Sequence, residues 1–148
     1  MPQVRIWPAP KECGGTTRES VYMLEHPGLV FALETDNNVL ATACEDTVVR
    51  TYSISTGELT RAFKAHTSPV VSVAICGTVM MSGSLDRTVC VWSLVDKDST
   101  ACVAKLEGHK GDVTGVALSP TGSLAATLSA GEEGQLIVWK PHEASPTR

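Results

Sequence analysis

The sequence has no apolar run approaching the roughly 20 residues that a membrane-spanning helix requires. Its first residues, Met-Pro-Gln-Val-Arg-Ile-Trp-Pro, lack the charged head and apolar core of a secretory signal. Positive charge is scarce: 12 Lys and Arg stand against 16 Asp and Glu, for a formal net charge of −4. That balance argues against a chain built mainly to grip nucleic acid or an anionic membrane, because both demand a basic surface. The five cysteines, Cys13, Cys44, Cys76, Cys90 and Cys102, are odd in number, widely spaced and contain no C-x-x-C pair. Reduced thiols are expected, several of them small core residues of a cytosolic or nuclear protein, with a zinc site or disulfide framework as the lesser alternative. No segment sustains a 3.6-residue period over ten positions, which disfavours helix.

What the sequence does have is repetition. Two segments align without a gap at an offset of forty residues: His26 with His66, Val30 with Val70, Leu33 with Val73, Leu40 with Met80, Thr42 with Ser82, Asp46 with Asp86, and Tyr52 with Trp92. Both keep twenty residues from His to Asp and six from Asp to the aromatic. A third unit opens at His109 and closes at Trp139, lengthened by two turns, "SPTG" (119–122) and "SAGEEG" (129–134). Ahead of the first unit, "VRIW" (4–7) matches "VVRTY" (48–52), "VCVW" (89–92) and "LIVW" (136–139), so it reads as a third strand, with "SVYMLEH" (20–26) as the fourth.

Within each unit the segments are short and rich in β-branched residues, as in "VVSVAI" (70–75), "VMMSGS" (79–84) and "TVCVW" (88–92), and Gly, Asp, Asn, Ser and Pro punctuate them. Short turns force neighbouring strands to pair antiparallel. The expected fold is therefore all-β, a series of four-stranded antiparallel sheets, apolar on both faces, that stack as the blades of a β-propeller. The chain divides into the end of a preceding unit (1–24), three repeats (25–65, 66–108 and 109–140) and a disordered tail (141–148). The stretch 11–19 reads as a long polar loop between two strands.

The motifs resemble those of the WD-repeat family. "LEGH" (106–109) carries the family's Gly-His, Ala65-His66 and Glu25-His26 keep the His alone, and "SGSLDRTVCVW" (82–92) matches its second and third strands. The Asp of the closing Trp-Asp is replaced throughout: Ser93 follows Trp92, Lys140 follows Trp139, and Pro8 follows Trp7. The resemblance implies a buried chain in which Asp accepts from His, His meets a Ser or Thr hydroxyl, and that hydroxyl meets the Trp indole. By matching positions, the second unit would use His66, Ser82, Asp86 and Trp92, and the first His26, Thr42, Asp46 and Tyr52. The third would use His109 and Trp139, with Glu133 replacing Asp and Thr127 or Ser129 as the hydroxyl; its longer hairpin implies an incomplete network.

His66, Ser82 and Asp86 are the residue types of a catalytic triad, but the set recurs in successive units, as a structural clamp must and an active site would not. The equivalent histidines fall in different sheets, too far apart to share a metal, and His142 lies in the polar tail. "SAGEEG" lacks the Lys-Ser/Thr of a phosphate loop. No catalytic residue, metal or cofactor is therefore expected. The resemblance implies a non-catalytic intracellular scaffold or adaptor that binds proteins or peptides, with no nucleic acid or membrane partner. Its contact positions would be Leu29, Pro69 and Asp112, three residues after each His, with Glu45, Leu85 and Arg87 beside the turn Asp. The alternatives are a reader of modified peptides, such as phosphopeptides or histone tails, and a propeller-based enzyme. Three units and part of a fourth cannot close a ring of seven, the family's usual number. The expectation is an incomplete or open ring, completed by the remainder of a parent chain or by self-association, or else a truncated product that folds poorly.

Overall fold

The computed structural model describes residues 1–8 and 20–141 and the backbone of 145–147. The polar stretch 11–19, Cys13 and His142 lie outside the described residues. The described residues form strands and turns in four antiparallel sheets. A two-stranded sheet pairs β1 (Gln3–Ile6) with β2 (Tyr22–Glu25). Three meanders follow. Sheet one holds β3 (Val30–Asp36), β4 (Val39–Cys44), β5 (Val48–Ser53) and β6 (Leu59–Lys64). Sheet two holds β7 (Val70–Cys76), β8 (Val79–Ser84), β9 (Val89–Ser93) and β10 (Cys102–Leu106). Sheet three holds β11 (Val113–Leu118), β12 (Ala125–Ser129), β13 (Leu136–Lys140) and β14 (Ser145–Thr147). Among the described residues no helix is long and apolar enough to cross a membrane.

The same local devices recur from sheet to sheet. Each first strand carries a register shift at its start, between Val30 and Ala32, Val70 and Ser72, and Val113 and Gly115. Such a bulge adds local twist to the strand. Asn37 and Gly77 take the left-handed conformation (φ 52° and 57°) at equivalent points of the first hairpin, where Asn and Gly are the least strained choices. Thr47 and Arg87 do the same (φ 73° and 69°) just after the turn Asp.

The strands are short, yet β4 and β8 are buried on both faces from their second residue onward, as only a sheet sandwiched between sheets can be. Ala41, Ala43, Val49 and Phe63 of sheet one meet Val70, Val73, Met80, Cys90 and Trp92 of sheet two. Met81, Val89, Val91 and Leu106, on the opposite face of sheet two, meet Val113, Ala125 and Trp139. Val4 and Leu24 cover Leu40 and Tyr52 on the other side of sheet one. Each interface thus sets one large aromatic, Tyr52, Trp92 or Trp139, against the preceding sheet.

The stack is open at both ends. Leu33 is 53% exposed, whereas its equivalent in sheet two, Val73, is 6% exposed beneath sheet one. At the other end Val138 is 38% exposed, while its equivalent Val91 is 4% exposed. Leu128 and Leu136 share that open face.

One expectation is corrected. Ser145–Thr147, read from its polar composition as part of a disordered tail, pairs with β13 as the fourth strand of sheet three. Without that pairing the outer edge of β13 would leave backbone donors and acceptors unmet, and an edge strand can satisfy them with little help from its side chains.

Gly83 sets the approach of sheets two and three. A Cβ there would come within 2.6 Å of Ser72 Oγ and 2.7 Å of Val113 Cγ1. Gly83→Val is expected to lower stability by about 1–3 kcal/mol through overpacking, read as a lower urea midpoint.

Candidate functional site

Sheet two contains the complete polar chain. Asp86 sits in the β8–β9 turn, Ser82 on β8, Trp92 on β9, and His66 between β6 and β7. The Asp86 carboxylate can only accept, so His66 Nδ1–H donates to Asp86 Oδ2 at 2.8 Å. His66 Nε2 then accepts from the Ser82 hydroxyl at 2.8 Å, and Ser82 Oγ accepts from the Trp92 indole N–H at 2.9 Å. Asp86 also accepts from the Thr67 and Thr88 backbone N–H groups and from the Thr88 hydroxyl. Every polar atom finds a partner, which the low-dielectric interior makes necessary. Ser82 is fully buried, so its hydroxyl serves this chain and not a substrate.

Sheet one departs from the expectation at Asp46. Arg50 occupies the position held by Cys90 in sheet two, and its guanidinium takes Asp46 through both terminal nitrogens, at 3.1 and 2.5 Å. His26 Nδ1–H donates instead to the Leu24 carbonyl at 3.1 Å. His26 Nε2 faces the hydroxyls of Thr42 and Tyr52 at 3.0 and 3.2 Å. Tyr52 therefore reaches the imidazole itself, one link further than the indole of Trp92 reaches.

Sheet three is also corrected. His109 Nε2 and the Trp139 indole N–H both meet Thr127 Oγ1 at 2.6 Å, which settles the hydroxyl as Thr127. Ser129 instead accepts the Gln135 backbone N–H. Glu133 points outward to Lys110 Nζ at 2.9 Å, with both side chains largely exposed, because the longer β12–β13 hairpin carries it away from the imidazole. His109 Nδ1 is buried without a partner. Gln135, unforeseen in the sequence, accepts the Lys110 backbone N–H, the bond that Asp86 makes to Thr67 in sheet two.

Burial lowers the pKa of all three histidines. At His66 the hydrogen bond and charge of Asp86 push the other way without reversing this. Burial raises Asp86, but hydrogen bonds from Thr88, Thr67 and His66 more than offset it and hold the carboxyl below its ordinary value. Burial likewise raises Asp46, and Arg50 leads the groups that bring it down. Among the described residues no three His, Cys, Asp or Glu side chains gather where a metal could sit.

The expected contact positions converge at one end of the strands. Antiparallel pairing places the start of each first strand beside the end of the second. Glu45 N–H donates to the Leu29 carbonyl at 2.8 Å, Leu85 N–H to Pro69 at 3.1 Å, and Ala130 N–H to Asp112 at 2.8 Å. Glu45 also accepts the Leu29 N–H at 3.1 Å. Leu29, Glu45, Arg87 and Asp112 are exposed, and Pro69 and Leu85 are half-buried. Ala130, unforeseen in the sequence, is the third turn member of the series and is exposed. Ser84 Oγ–H donates to the carbonyls of Ser68 and Pro69 at 2.9 Å, a second tie on the same loop.

Asp86→Ala is expected to lower stability by about 1–3 kcal/mol, because the buried His66 donor loses its acceptor. Asp46→Ala should cost about 1 kcal/mol or less, since its partly exposed pair with Arg50 is detached from the histidine. Equal losses in urea denaturation would contradict the division of roles. The pH dependence has a definite sign. Unfolded histidine takes a proton near its ordinary value of 6.5, and the folded chain resists doing so. Stability is then greatest above that value and falls as the pH drops below it, an effect that depressed Asp86 and Asp46 extend to lower pH. Urea midpoints measured from about pH 8 down to about pH 5 should decline. A rise on acidification would instead mean that His66 is held as an imidazolium.

The family pattern "WD domain, G-beta repeat" matches residues 57–93 and 100–140. Each match starts beside the outer strand of one sheet and ends at the third strand of the next. A p21-activated protein kinase-interacting protein 1-like protein of Danio rerio is 28% identical over 136 residues, covering 91% of this chain and 35% of that protein. The small ribosomal subunit protein RACK1y of Oryza sativa subsp. japonica is 48% identical over 62 residues, covering 40% of this chain and 16% of that protein. The chain thus spans about a third or less of the length of these curated relatives. The crystal structure of the computationally designed Ika4 protein superposes with a TM-score of 0.74 at 26% identity, over 84% of this chain and 73% of that one. Repeated sheets, the buried His–hydroxyl–indole chain and these matches lead to one conclusion: the chain belongs to the WD40-repeat family of β-propeller proteins.

Proposed function

We propose that this chain is a non-catalytic adaptor inside the cell, holding protein or peptide partners on the loop end that carries Leu29, Glu45, Pro69, Leu85, Arg87 and Asp112. The observation that carries this reading is the repeated backbone bond of that end, Glu45 to Leu29, Leu85 to Pro69 and Ala130 to Asp112. A loop fixed to its neighbour at the same place in each sheet presents its side chains with little freedom to lose on binding. Leu85 beside exposed Arg87 offers an apolar contact next to a fixed charge, a combination suited to a protein surface. The names of relatives fit this direction, since the Danio rerio protein is described as interacting with a kinase. The buried state of Ser82 and the recurrence of the His chain support reading that chain as scaffold and not as catalyst.

The open faces at Leu33 and at Leu128, Leu136 and Val138 favour completion of the stack by further sheets, from the rest of a longer chain or from a second copy. The four cysteines among the described residues are free thiols, which suits a reducing compartment.

The double substitution L85D/R87E is expected to reduce capture of cellular proteins at least about tenfold while leaving the urea midpoint within about 0.5 kcal/mol, as for other surface changes. Undiminished capture of the same proteins would remove this loop end from the binding site.

A further inference from the structure

Sheet two carries a feature that the repeat does not require. Cys90 and Cys102 lie on the adjacent strands β9 and β10. Cys102 is paired with Trp92, two residues along the same face from Cys90, and a bulge at Val103 interrupts the register between Cys102 and Ala104. Cys90 is fully buried in the cluster between sheets one and two, and Cys102 packs against that cluster from a partly exposed position. The two side chains share one cluster across adjacent strands, and Cys102 Sγ lies 3.2 Å from the carbonyl oxygen of Ala104. The equivalents of Cys90 are Arg50 and Ile137, so neither neighbouring sheet repeats the pair. Cys90 Sγ also lies 3.8 Å from His66 Nδ1, which ties the pair to the polar chain.

We propose that Cys90 and Cys102 form a redox modification site, a dithiol that a hydroperoxide converts into a disulfide joining β9 to β10. The roles follow from accessibility. Cys102, at the partly exposed end, is the sulfur that meets the oxidant, and buried Cys90 resolves. The Cys102 thiol is lowered to about 7, first by the neighbouring Cys90 thiol, with Lys105 adding a nearby positive charge. The neighbouring Cys102 and then burial push Cys90 up, keeping it protonated. In the first step the Cys102 thiolate attacks one peroxide oxygen, the O–O bond breaks, and hydroxide leaves (or alkoxide, for an organic peroxide), giving sulfenic acid. In the second step the Cys90 sulfur attacks the sulfenic sulfur. The S–O bond breaks, the Cys90 proton leaves with the hydroxyl as water, and the S–S bond forms. Two thiols lose two electrons in total, and the peroxide gains them. The bridge crosses the bulge and alters the surroundings of His66 and Trp92.

The test uses the full chain, folded, treated with hydrogen peroxide, then quenched, unfolded, alkylated and digested with trypsin. Cleavage after Arg87, Lys97 and Lys105 separates the two cysteines into peptides 88–97 and 98–105. Oxidation should join these two peptides by a bond that dithiothreitol cleaves, while Cys44 remains fully alkylatable. Cys102→Ser should leave Cys90 unoxidised. Cys90→Ser should halt at a Cys102 sulfenic acid that dimedone traps. Should Cys90→Ser fail to fold, the wild type and Cys102→Ser decide the matter alone. The proposal is overturned if 88–97 and 98–105 stay separate while Cys76 oxidises, if the crosslink forms only in urea, or if it joins two copies of the chain.

Discussion

The burial of both faces of each four-stranded sheet against its neighbours governs everything else in this chain. A strand of five or six residues offers too little surface to stabilise a free sheet, and a sheet that is apolar on both sides cannot stand alone in water. Stacking answers both problems at once. The alanines of β4 and the glycine of β8 thin one face so that the next sheet can approach. The large aromatic on each third strand then fills the remaining depth, with the ring of Trp92 tilted against Phe63 at 5.2 Å.

That burial creates the need for the polar chain. Closing each sheet's end places an imidazole, a hydroxyl and an indole or phenol where water does not reach, and each must be satisfied internally. Sheets one and two meet this demand in different ways, and sheet three meets it only in part. In sheet two a carboxylate ends the chain. In sheet one the backbone carbonyl of Leu24 does so, because Arg50 has claimed the carboxylate. In sheet three the chain stops at His109, and Gln135 preserves only the bond to the following backbone N–H. The constant element is the link between His Nε2 and the hydroxyl on the second strand.

A scaffold pinned in this way holds its loops still. The same residues that end the polar chain also shape the turn, so Asp86 fixes the backbone beside Leu85 and Arg87 through the bonds it accepts from Thr67 and Thr88. Stability and presentation of the loop end are therefore coupled through one side chain. Departures from the shared pattern are where individual character enters, and the Cys90–Cys102 pair is the clearest of them.

The sequence alone determined the sheet count, the strand positions within the repeats and the members of the sheet-two chain, because a forty-residue period repeats His, hydroxyl, Asp and aromatic at fixed spacing. It also put the expected contact positions together at one end of the strands, since antiparallel strands joined by short turns leave little choice of which ends meet. Only the tertiary structure decided where Asp46, Glu133 and the segment 145–147 go. Asp46 had two basic partners in reach, and the choice between Arg50 and His26 depends on distance and bidentate geometry, not on spacing. Glu133 stands the right number of residues from Trp139, but a longer hairpin turns its side chain into water. The final strand joins β13 through backbone pairing, and a partner of that kind leaves little trace in the residues it recruits.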